Sequence, residues 1–65
     1  MTIANKIKQY RDEYELTQAQ FAEAGGLTRE VIQSIENERN TNPTLDTLEG
    51  IAKAMGISID ELVKE

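Results

Sequence analysis

Helix-starting hydroxyls stand at Thr17, Thr28, Thr44 and Ser58, each just ahead of a segment with helical apolar spacing. Helix-stopping residues stand at Gly25-Gly26, Pro43 and Gly56. A Ser or Thr side chain at a helix start accepts a hydrogen bond from an otherwise unpaired first-turn N–H. Glycine takes the positive φ of a helix-ending turn, and proline cannot continue a helix. A chain punctuated this often can make only short helices joined by short turns.

The segments between these marks define five helices. Ile3, Ile7, Tyr10 and Tyr14 recur at helical spacing, with Lys6, Lys8, Gln9, Asp12 and Glu13 on the other face, so a first amphipathic helix is expected from about Thr2 to Glu13. Thr17 with Gln20 three residues on is a capping box that opens a helix over Gln18 to Ala24. Gly25-Gly26 ends it, both glycines being read as turn residues with positive φ. Thr28 caps a third helix from about Arg29 to Asn37, with Ile32 and Ile35 inward. Thr44 caps a fourth, carrying the stripe Leu45, Leu48, Ile51, Ala52 and Met55. Ser58 with Glu61 is a second capping box, opening a last short helix through Leu62 and Val63. Glu49 with Lys53, and Asp60 with Lys64, stand four apart as helix-supporting pairs. No stretch alternates as a strand does. The expected fold is all-α: one compact five-helix bundle over residues 1–65.

Composition excludes several classes of function. The chain has no cysteine and no histidine, which removes a disulfide framework and any zinc site built on those ligands. Its apolar runs are too short to span a bilayer, its first residues do not form a signal peptide, and the cytoplasm is the default location. There is no Cys–His or Ser–His pairing, phosphate-cradling glycine loop or HExxH. No enzyme, cofactor, metal or small-molecule ligand is therefore expected. Twelve acids against seven bases give a net charge of −5, which by itself argues against a polyanionic partner.

The segment from Thr17 to Asn37 points the other way. Two short threonine-capped helices joined by Gly25-Gly26-Leu27 must cross steeply, which presents the second of them to a DNA major groove. Unpaired N–H groups at the start of the first helix, at Gln18, favour phosphate without needing side-chain charge. Arg11 shares a helical row with Ile3 and Ile7, and Glu36 adjoins Ile35, so both charges lean inward and need partners.

In this stretch and beyond it the chain resembles the Cro/cI-type (Xre-type) helix-turn-helix domains of bacterial and phage repressors. The resemblance runs from about Ile7 to Leu62. It is carried by Ile7-Lys8-Gln9-Tyr10-Arg11, Leu16-Thr17-Gln18, Phe21-Ala22, Gly26-Leu27-Thr28-Arg29, Ser34-Ile35-Glu36, Asn42-Pro43-Thr44-Leu45, Met55-Gly56-Ile57 and Asp60-Glu61-Leu62. It implies a helix-turn-helix motif at about 17–37 and a bacterial or phage-encoded regulator, a repressor, that reads double-stranded operator DNA with residues 28–37. Carried over by position, Thr28, Arg29, Glu30, Gln33 and Ser34 face base edges. Gln18 packs on phosphate while bracing them, and Thr17, Asn37, Arg39 and Asn40 contact the backbone. Arg29 suits guanine, Glu30 cytosine and Gln33 adenine, while Val31 is expected to face a thymine methyl. Arg11 and Glu36 are expected to form a structural salt bridge. The turn after the first helix, usually glycine or asparagine in these domains, carries Glu15, and the loop after the third helix offers one base, Arg39.

Ile57, Ile59, Leu62 and Val63 are many apolar residues for a terminal helix. A remainder around Ile59, Leu62 and Val63 is expected to form a two-fold homodimer contact on a palindromic operator. The competing expectation is an acidic protein-interaction module of the same fold, of antitoxin or anti-repressor type, with little or no DNA binding.

Overall fold

The computed structural model describes residues 2–64. Five helices follow one another: α1 (Ile3–Tyr14), α2 (Gln18–Ala24), α3 (Arg29–Glu36), α4 (Leu45–Met55) and α5 (Ile59–Val63). No strand occurs among the described residues. Each helix begins on a hydroxyl cap. Thr2, Thr17, Thr28, Thr44 and Ser58 accept from the backbone N–H groups of Asn5, Gln20, Val31, Thr47 and Glu61. At α2 the box is reciprocal, because Thr17 N–H also donates to Gln20 Oε1 at 2.8 Å. These bonds are local, and that is why the helix starts follow so directly from the chain.

The helices bury one core. Ile7 of α1, Phe21 and Ala22 of α2, Ile32 and Ile35 of α3, Ile51 and Ala52 of α4, and Leu62 of α5 form a single buried cluster. Tyr10 packs edge-on to Phe21, with ring centroids 5.9 Å apart, and Tyr14 leans on Tyr10 at 4.5 Å. Tyr10 is half-buried, whereas Tyr14 stays largely exposed. Lys6 Nζ donates to the carbonyl oxygens of Leu62 and Lys64, which ties the end of α5 to α1.

Several expectations are corrected. Leu62 is fully buried and cannot take part in a two-fold contact, because α5 must turn its strongest apolar residue onto the core to pack at all. Val31 is half-buried and packs against the core cluster, and so does not face away from the core. Only Gly26 of the glycine pair has positive φ, at 69°. Gly25 has φ −98°, and its role is close approach: a Cβ there would overlap the carbonyl oxygen of Gly50 in α4. Neither Glu49 with Lys53 nor Asp60 with Lys64 closes to an ion pair, and Lys64 lies past α5 in extended conformation. α1 runs to Tyr14 because Glu15 takes the left-handed conformation that ends it, with φ 54° and ψ 47°.

Candidate nucleic-acid interface

α2 and α3 meet at the turn Gly25–Leu27, where Leu27 N–H reaches back to the Ala22 carbonyl at 2.8 Å. α3 turns Ile32 and Ile35 onto the core and leaves its opposite face in solvent. Arg29, Glu30 and Gln33 are exposed on that face, Ser34 is half-buried, and the caps Thr28 and Asn37 are exposed at its two ends. Glu30, Gln33, Ser34, Asn37 and Arg39 line one shallow polar groove of about 190 Å³. Arg29 stands outside this groove, one turn from Gln33 and on the same row as Glu36.

The loop after α3 is held by two carbonyls of its last turn. Ile35 O accepts from Glu38 N–H at 3.0 Å. Ser34 O accepts from Arg39 N–H at 3.0 Å and from Asn40 N–H at 3.2 Å. This bend requires Glu38 at φ 59°, a left-handed conformation that non-glycine residues rarely adopt. Asn40 is half-buried, and its Oδ1 accepts from Asn42 N–H at 3.2 Å. The structure thus gives Asn40 a loop-building task and leaves the Arg39 side chain exposed.

Beneath the α3 face lies a charged cluster. Arg11 Nε donates to Glu36 Oε2 at 2.7 Å, and Arg11 Nη2 donates to Glu36 Oε1 at 2.8 Å. Arg11 Nη1 also donates to the Leu16 carbonyl at 2.9 Å. Gln18 Nε2 donates to Glu36 Oε1 at 3.1 Å. The side chain of Gln18 is therefore turned inward, coupling the first residue of α2 to the last residue of α3. Glu36 is only 4% exposed. Burial pushes its carboxyl upward, but the hydrogen bonds from Arg11 and Gln18, with the attraction of Arg11 and Lys8, outweigh it and hold the carboxyl below its ordinary range. The bond to Glu36 holds the Arg11 guanidinium above its ordinary value, against the opposing effect of burial. Both groups stay charged across the neutral range, and the pair carries no net charge toward solvent.

A family model described as Helix-turn-helix matches residues 7–62. The chain belongs to the Xre-type helix-turn-helix family. This helix-turn-helix chain is 45% identical over 65 residues to the immunity repressor protein of Bacillus phage phi105, covering all of this chain and 44% of that protein. It is 33% identical over 63 residues to the transcriptional regulator SinR of Bacillus subtilis strain 168, covering 97% of this chain and 57% of SinR. It is 39% identical over 61 residues to the control protein C.SmaI of Serratia marcescens, covering 94% of this chain and 71% of that protein. Among solved structures, a complex of SinR protein with SinI protein superposes with a TM-score of 0.84 at 33% identity, over 98% of this chain and 62% of the other. The helix-turn-helix chain thus spans about half the length of the first two of these relatives.

Proposed function

We propose that the chain binds double-stranded DNA sequence-specifically as a transcriptional regulator, a repressor, with α3 in the major groove. The observation that carries this is the solvent-facing polar surface of α3, set on a helix-turn-helix domain whose relatives are named as repressors and regulators. Thr28, Arg29, Glu30, Gln33 and Ser34 are the base-reading set. Arg29 donates to guanine, Gln33 pairs with adenine, and Glu30 accepts from the cytosine amine. Thr17, Gln18, Asn37, Arg39 and Asn40 fix register on the phosphates. Gln18 keeps one amide hydrogen for this while the other engages Glu36.

Affinity in this scheme comes from pairing two domains on a palindromic site. Val63 is 49% exposed and Ile59 is half-buried, so the outer edge of α5 is the contact proposed between copies. Two α3 helices would then address half-sites about one helical turn apart. Sedimentation of wild type against Val63→Ser tests that contact, and a monomeric wild type at micromolar concentration and above rejects it.

The acidic interaction module is the second proposal. It is favoured by Glu23, Glu30 and Glu38, all exposed around the motif, and by the protein partner present in the SinR complex. One titration separates the two. Labelled protein is mixed with random duplex at low salt, and bound oligonucleotides are then selected from a random pool. Resonance shifts confined to α2, α3 and the following loop, with an enriched motif, support DNA reading. No shifts and no enrichment reject it in favour of the protein partner.

A further inference from the structure

Three bases on the helix-turn-helix side of the fold face solvent: Arg29 and Arg39, already placed in the interface, and Lys8 on α1. The other two bases of α1 are engaged within the fold, Lys6 with the carbonyls that end α5 and Arg11 with Glu36. Lys8 makes no ion pair or side-chain hydrogen bond among the described residues.

Its position follows from how α1 lies. The C-terminal half of α1 is tied to the start of α2, since Arg11 bonds the Leu16 carbonyl and shares Glu36 with Gln18. The N-terminal end of α1 abuts the loop after α3, since Ile3 and Ala4 line one cavity with Asn40 and Pro43. α1 therefore bridges the two segments proposed to grip the DNA backbone. Ala4, Lys8 and Arg11 fall on one stripe of this helix, at i, i+4 and i+7. Ala4 is buried and Arg11 is half-buried, while Lys8 between them is exposed. Arg11, one turn further along this stripe, bonds Glu36, so the stripe is turned toward the end of α3.

We propose that Lys8 is a further phosphate anchor of the DNA interface, set on α1 between the start of α2 and the loop after α3. The role rests on the DNA-binding function proposed above. A lysine ammonium on a phosphate carries no base information and releases counterions on binding. Lys8→Gln should therefore weaken all duplexes alike and lower the slope of log K against log salt by about 0.9. Between about 50 and 200 mM salt, wild type should lose about 3.5-fold more affinity than the variant.

The test measures binding across that salt range to a random duplex and to a duplex selected from a pool. It compares wild type, Lys8→Gln, Lys8→Arg and Lys53→Gln. Lys53 is the control, an exposed base in the last turn of α4. Support is a reduced slope for Lys8→Gln on both duplexes, a normal slope for Lys8→Arg and Lys53→Gln, and unchanged melting for all. The role is overturned by an unchanged slope, by a loss confined to one sequence, or by an equal loss in Lys53→Gln. Wild type that binds neither duplex removes the DNA function itself, and Lys8 with it.

Discussion

Gly50 sits in the middle of α4, where alanine is the better helix former by about 1 kcal/mol. Helix propensity alone predicts that Gly50→Ala stabilises the domain. The packing predicts the reverse. A Cβ on Gly50 would lie 2.7 Å from the Gly25 carbonyl oxygen and 2.8 Å from Cγ and Cδ2 of Leu27. One obstacle is a side chain and can turn. The other is backbone at the end of α2, and it moves only if α2 and α4 separate. Overpacking of this kind costs about 1–3 kcal/mol, and a double obstruction belongs at the upper end. Set against the propensity gain, the net loss is about 2 kcal/mol, or roughly 8–16 °C in Tm for a domain of this size. Gly26→Ala separates the two uses of glycine. It meets open space at φ 69°, so its cost is backbone strain alone, about 1–2 kcal/mol. Thermal melts by circular dichroism measure all three proteins. A Gly50→Ala protein that melts at or above wild type would refute the claim that the α2–α4 approach is set by backbone contact.

Four further outcomes follow from the same structure. Arg11→Ala strands the Glu36 carboxylate with only the Gln18 amide and should cost about 3–5 kcal/mol in denaturant unfolding at neutral pH. Because the Glu36 carboxyl is lower in the folded state than its ordinary value of 4.5, its contribution is complete above that pH and is lost as pH falls through the folded value. Stability of Glu36→Gln should lack that acid-side slope, and an identical slope in both proteins counts against the pair. Glu15→Gly should raise stability by about 1 kcal/mol by removing a left-handed glutamate, read as an increase in Tm. Arg29→Ala should relax preference at a single base pair at a cost of about 1–3 kcal/mol, and equal weakening on all duplexes would make Arg29 a backbone contact instead.

What the chain announces and what it conceals divide by distance along the sequence. Each cap is a bond over three residues, so Thr17, Thr28, Thr44 and Ser58 state their helix starts outright. Arg11 and Glu36 are 25 residues apart, but both sit on apolar rows where an unpaired charge is costly, so their meeting leaves a trace in the pattern. The Gly25–Gly50 approach leaves none, because a missing side chain looks the same whether it serves a turn or a tight contact. Leu62 and Val63 are adjacent and both apolar, and only the docking angle of α5 decides which is buried. Glu15 and Glu38 were least legible, since nothing in a glutamate marks it for positive φ; the surrounding helix ends impose it.

The same distinction bears on the acidic composition. A net charge of −5 is a sum over the chain, whereas phosphate responds to charges within about a Debye length of the contact surface. In the fold, Glu36 is cancelled by Arg11. Asp46, Glu49, Asp60 and Glu61 belong to α4 and α5 and do not line the α3 groove. Lys8, which lies outside the motif, joins Arg29 and Arg39 on the proposed interface because α1 runs between the two segments proposed to grip the backbone. Exposed Asp12 and Glu15 lie on α1 and at its end beside Lys8, and Glu23, Glu30 and Glu38 surround the motif, so acids outnumber these three bases locally. Such a surface gives little non-specific attraction, and in the proposed function discrimination comes from the α3 side chains and from pairing two domains on one site.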